Sequence, residues 1–153
     1  MAASATQPLA VLFACGLNSV RSPMAAALFA QIFGRGIYVA SAGVRKGDLD
    51  PFAVAVMAEI GLDISRHKPV TFEEIDEWEG LNFDLIITLA PEARHRALEL
   101  TRTSGVDVEY WPMVDPSGVE GSREQRLDAY REVRDQLLAR IRQRFSRPTP
   151  GNE

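Results

Sequence analysis

One stretch near the start of the chain constrains the fold most. LAVLFACGLNSVRSPMAAALFAQIF, Leu9 to Phe33, runs from an apolar segment through a short polar loop into a helical one. Leu9 to Ala14 is nearly continuous hydrophobic sequence, the pattern of a strand covered on both faces in a parallel sheet. Pro23 suits the first turn of a helix, where its missing N–H costs nothing, so a helix is expected to begin there. Met24 to Phe33 then supplies good helix formers. Cys15 opens the intervening loop and Arg21 follows after five residues.

That spacing has a chemical meaning. A loop that leaves a strand and enters a helix turns successive backbone N–H groups into its own concavity, with the positive end of the helix dipole beneath. Such a nest binds a tetrahedral oxyanion, and Arg21 at its edge can grip two of the oxygens as a fork. The same field favours the thiolate form of a cysteine. Ser22 could donate a hydrogen bond to the sulfur and stabilise it as a leaving group. Nucleophile and anion clamp then share one loop. The plainer reading of the same residues is a buried strand-end thiol and a surface charge.

Composition narrows the classes. At 153 residues the chain is expected to form one domain, residues 9–146, with 1–8 a frayed N-terminus and 147–153 a loose tail. A net charge of −4 argues against a broad nucleic-acid-binding face, though not against a local anion pocket. No apolar run has the length of a membrane span and no signal pattern opens the chain, so a cytoplasmic location and no membrane partner are expected. The single cysteine excludes an intramolecular disulfide, and one cysteine with two well-separated histidines makes no metal site. No metal or cofactor is expected.

Further along, Ile37 to Ala40 reads as a second strand ending at Ser41, and Phe52 to Ile60 as a helix stopped by Gly61. Thr71 with Glu74 forms a capping box before a short helix, Phe72 to Trp78. Phe83 to Leu89 is the clearest buried strand after the first. Pro91 to Leu100 reads as a helix, Val106 to Tyr110 as a fourth strand. Ser122 with Gln125 is a second capping box, opening an amphipathic helix to about Phe145. The expected fold is α/β, a three-layer sandwich with a four-stranded parallel sheet of order 2-1-3-4 and helices on both faces. Ligands of such sheets bind beyond the carboxyl ends of the strands, where Cys15 falls. His95 reads as part of a solvated helix face, Trp78 and Trp111 as core or rim packing.

The stretch VLFACGLNSVRSPMAAALF resembles the signature of the low-molecular-weight protein tyrosine phosphatases, a strand followed by C-x5-R-S-P and a helix. The resemblance continues through Ser41 to Gly43, Gly61 to Lys68, Phe83 to Ala90 and Asp115-Pro116. It implies phosphomonoester hydrolysis through a phosphocysteine intermediate. Cys15 would be the nucleophile, Arg21 the phosphate clamp and Asp115 the general acid and base. Gly16, Leu17, Asn18, Ser19, Val20, Arg21 and Ser22 would form the phosphate-binding loop, and Asn18, Ser22, Ser41 and His67 a supporting polar network. Asn18 also has a local reason, since asparagine tolerates left-handed backbone. Taken alone, Asp115 is a turn aspartate before proline, Ser41 a strand-end hydroxyl and His67 a loop histidine. The implied partner is a phosphorylated protein or a small phosphomonoester.

The sequence departs from the family in three ways. The usual glycine two residues after the cysteine is Leu17, with Gly16 one place early. A second cysteine before the arginine, which in many relatives traps an oxidised nucleophile, is Val20 here, so irreversible oxidation of Cys15 is expected. Aromatic residues that usually follow Asp-Pro and flank a phenol ring are Ser117 and Gly118. Ser19 stands where protein-arginine phosphatases of the family have threonine. Alternatives to tyrosine phosphatase are therefore an arginine phosphatase and a catalytically weak phosphate-binding module. Arsenate reductase, which shares the fold and loop, relays oxidation through additional cysteines that this chain lacks.

Overall fold

The computed structural model describes Pro8, residues 10–34 and residues 36–145. The expected frayed N-terminus, Pro8 excepted, and the expected tail lie outside those residues. Four strands, β1 (Ala10–Cys15), β2 (Tyr38–Gly43), β3 (Leu85–Thr88) and β4 (Asp107–Tyr110), form one parallel sheet of order β2-β1-β3-β4. Five helices join them: α1 (Arg21–Phe33), α2 (Pro51–Ala58), α3 (Phe72–Glu79), α4 (Pro91–Leu100) and α5 (Arg123–Arg144). None of the described helices is long and apolar enough to cross a membrane.

The period-two alternation of β1 divides the interior. Val11, Phe13 and Cys15 face a core shared with α1, α2 and α5, while Leu12 and Ala14 face a second core under α3 and α4. Both faces of the strand are therefore covered, as its unbroken apolar run requires. On the first face Phe29 meets Phe13 and Phe145 edge to face, with ring centroids 5.8 and 5.0 Å away. Trp111, 1% exposed, packs on Phe13 at 6.1 Å. Such aromatic contacts add about 0.5–1.5 kcal/mol each beyond burial. Trp78, by contrast, is 63% exposed on α3 and packs in neither core nor rim, which corrects its reading.

Two boundaries move in ways that matter for the loop. Helix α1 starts at Arg21, two residues before the proline, because the carbonyl of Val20 already accepts from the Met24 N–H at 3.1 Å. Pro23 still lies in the first turn, where a missing N–H is harmless. Strand β2 runs on to Gly43, which pairs with Cys15. Both capping boxes form, at Thr71/Glu74 and Ser122/Gln125. Helix α2 is strapped to α5 through Glu59, whose carboxyl the Arg131 and Arg134 guanidiniums pull down to about 2.

Candidate active site

The loop from Cys15 to Arg21 is shaped from behind by the segment after β2. The carbonyls of Cys15, Gly16, Leu17 and Ser19 accept from the N–H groups of Val44, Arg45, Gly47 and Asp50, at 3.2, 2.9, 2.9 and 3.2 Å. A trans peptide sets its N–H opposite its carbonyl. The N–H groups of Gly16, Leu17, Asn18 and Val20 therefore face away from that segment, toward the concave side. Gly43 permits the close approach: a Cβ there would stand 2.4 Å from the Arg45 carbonyl and 2.8 Å from the Asn18 nitrogen. Helix α1 has no side-chain cap and no acid in its first turn, so its positive end is left for an anion.

Asn18 locks the loop. At φ 56 it is the one non-glycine residue with left-handed backbone among the described residues, and it is fully buried. Its Nδ2 donates to Ser22 Oγ at 2.8 Å and to Ser41 Oγ at 2.9 Å. Its Oδ1 accepts from the Val70 N–H at 2.9 Å and lies 2.9 Å from His67 Nε2. Because the Val70 N–H identifies that oxygen as acceptor, His67 Nε2 carries a proton. Burial lowers the pKa of His67 and keeps the ring neutral. All four residues expected in the supporting network thus meet in one cluster.

The Cys15 Sγ lies 3.0 Å from Ser22 Oγ and is 2% exposed. The Ser22 hydroxyl also reaches the Ala42 carbonyl at 3.3 Å. One hydroxyl proton thus has two acceptors. It turns to the sulfur when sulfur is a thiolate and to the carbonyl when the thiol donates instead.

Arg21 and Asp115 line the same cavity as Cys15, of about 320 Å³. Arg21 is only 9% exposed; Nη1 donates to the Met113 carbonyl at 3.0 Å and Nη2 lies 3.7 Å from Asp115 Oδ2. Asp115 Oδ1 accepts from the Ser117 N–H and hydroxyl at 3.0 and 2.7 Å, which holds the half-exposed carboxylate in place. The turn reading and the site reading of Asp115 are therefore one structure: the carboxylate caps the 3₁₀ turn Pro116–Gly118 and stands beside the clamp.

Of the expected phosphate loop, Cys15, Leu17, Ser19, Val20 and Arg21 line the cavity, while Asn18 and Ser22 lie fully buried beneath it. Gly16 lies beside the exposed Glu92 side chain at the start of α4, whose carboxylate a Cβ would approach to 2.6 Å. Leu17, 42% exposed, becomes part of the wall, and glycine at 47 leaves it room. Asp48, Leu49, Asp50 and Pro51 complete the wall and were not expected from sequence. Asp50 caps α2, with Oδ1 accepting from the Phe52 N–H at 2.8 Å. Its Oδ2 accepts from the Tyr130 hydroxyl at 2.6 Å, a contact between residues 80 positions apart. His95 is exposed and reaches only Glu99, outside the site.

A buried thiol, an arginine and an aspartate thus line one cavity at the carboxyl end of β1 in a parallel α/β sheet. A family model described as low molecular weight phosphotyrosine protein phosphatase matches residues 10–147, and the chain belongs to that family. It is 34% identical over 133 residues to an arsenate reductase of Bacillus subtilis, covering 87% of this chain and 92% of that one. Among solved structures it superposes on the YwlE arginine phosphatase carrying a phosphorylated active-site serine, with TM-score 0.71 and 27% identity over 89% of this chain and 93% of that one. A low molecular weight protein tyrosine phosphatase from T. tengcongensis gives TM-score 0.70 at 25% identity, covering 87% and 95%.

Proposed function

We propose that this protein is a phosphatase acting on phosphorylated side chains through a covalent phosphocysteine at Cys15. The observation that carries the reading is the sulfur at 3.0 Å from Ser22 Oγ, in a cavity that Arg21 and Asp115 also line. The substrate phosphate sits in the cradle with its equatorial oxygens on the loop amides and the Arg21 fork. The Cys15 thiolate forms the S–P bond as the bond from phosphorus to the leaving atom breaks, and Asp115 gives that atom a proton. Water then attacks phosphorus, Asp115 takes the water's proton, and the S–P bond breaks to return thiolate and inorganic phosphate. Ser22 stabilises the sulfur each time it carries charge. Arg21, bonded to the Met113 carbonyl, also ties the Asp115 loop to the cradle.

Phosphotyrosine is the first substrate of this reading, in keeping with the family. Phosphoarginine is the second, and the wall favours it. The cavity has no aromatic side chain to stack on a phenol ring, whereas Asp48, Asp50 and Asp115 line it and suit a guanidinium. Arsenate reduction takes two electrons from two thiols, which end as a disulfide. Cys15 supplies one, so the second would have to come from outside the chain. Hydrolysis of matched phosphotyrosine and phosphoarginine peptides by wild type and Cys15→Ser tests the reading. Turnover of one or both by wild type alone supports it, and a wild type as inert as Cys15→Ser leaves a phosphate-binding module.

A further inference from the structure

Helix α5 carries seven arginines, and three of their guanidiniums are tied to carboxylates. Arg131 bonds Glu59, Glu124 and Asp128; Arg134 bonds Glu59 and Asp135; Arg144 bonds Glu109. Arg123 and Arg126 differ. Neither has an ion-pair partner among the described residues, and both lay their charge against one ring, Phe52, with Cζ 5.2 and 4.5 Å from its centroid. Phe52 follows Pro51 of the cavity wall and is braced edge to face by Tyr130, whose hydroxyl holds Asp50. Arg126 also lines a shallow groove with Ser117 and Gly118, and Ser117 belongs to the cavity as well. The pair thus stands at the cavity mouth, joined to it from both sides. Glu120 lies on the same groove and makes no ion pair with Arg126.

We propose that Arg123 and Arg126, stacked on Phe52, form a subsite that binds an acidic side chain flanking the phosphorylated residue of a protein substrate. Stacking on a ring fixes a guanidinium without neutralising it, which leaves its donors pointing outward for a carboxylate. The rest of the mouth supplies the selectivity. Asp48, Asp50 and Asp115 of the cavity repel an acidic flank while Arg123 and Arg126 attract one, so charge favours a peptide that runs over the arginine pair. In a chain of net charge −4, two unpaired cations beside the site are the feature an acidic peptide would find.

The inference rests on the cavity being a site for phosphorylated protein, and its test separates the two ideas. Binding is measured with the Cys15→Ser protein, using phosphotyrosine peptides that carry either glutamate or glutamine on each side of the phosphorylated residue. The glutamate peptide is expected to bind about fivefold tighter, the scale of two exposed charge pairs. The preference should shrink in about 0.5 M salt, where screening reaches only a few ångströms. Arg123→Gln with Arg126→Gln on the same background should bring the ratio to about 1. Equal binding of the two peptides, a ratio that survives both substitutions, or an equal loss for both peptides would overturn the subsite. Wild-type turnover of the glutamine peptide is followed in parallel. Hydrolysis without a glutamate preference would remove the subsite alone, and a preference without hydrolysis would remove the phosphotyrosine reading alone.

Discussion

Asn18→Ala is the substitution whose cost the structure specifies most fully. It removes four side-chain hydrogen bonds of 2.8–2.9 Å. Two donors, the Val70 N–H and His67 Nε2, lose their acceptor at about 1 kcal/mol each, because both are only partly buried and water reaches them. Alanine held at φ 56 adds about 1–2 kcal/mol of left-handed strain. The sum is about 3–4 kcal/mol, a large share of the roughly 5–15 kcal/mol that stabilises a domain. In thermal unfolding it corresponds to a Tm lower by about 6–16 °C. Asn18→Gly separates the terms. It loses the same bonds but not the backbone fit, and after the extra entropy of a glycine it should be about 0.5–1 kcal/mol more stable than Asn18→Ala. An alanine variant within about 0.5 kcal/mol of wild type, or a glycine variant less stable than alanine, would refute this account of the loop.

Ser22→Ala takes the hydroxyl from the sulfur and should slow breakdown of the phosphoenzyme more than its formation; rapid mixing should then show a larger burst followed by a slower steady state. His67 is neutral in the fold because burial lowers its pKa below the ordinary 6.5. Its contribution to stability is complete above 6.5 and is lost as pH falls through the folded value, since the unfolded chain takes up the proton first. Tm should therefore fall on acidification from about pH 7 to about pH 5, with a shallower slope in His67→Gln, which keeps a donor for Asn18. Peroxide should carry Cys15 past the sulfenic acid, because the chain has no second cysteine to trap it; full recovery of activity with dithiothreitol would contradict this.

Local signals carried the fold. The double-faced apolar run of β1, both capping boxes and the strand–helix alternation are written in neighbouring residues, and the parallel sheet with helices on both faces followed from them. The phosphate loop was legible for the same reason, since Cys15, Asn18 and Arg21 act within one turn of chain. Ser41 and His67 were legible only by family resemblance: taken alone they are a strand-end hydroxyl and a loop histidine, and their partner Asn18 is far away in sequence. Asp50 and its tie to Tyr130 were not legible at all, because an aspartate before a helical proline is fully explained as a cap. Leu17 read as a departure, and the structure makes it part of the cavity wall beside Gly47.

The central claim is that the phosphoryl group passes through the sulfur of Cys15. Asp115→Asn should slow both proton transfers by about 10²- to 10⁴-fold and leave the nucleophile intact. Acid-quenching that variant during turnover of a labelled phosphopeptide, then mapping the label by mass spectrometry, should find one phosphoryl group on the peptide that contains Cys15 and none in Cys15→Ser. Label on another residue, or continued turnover in Cys15→Ser, would contradict it.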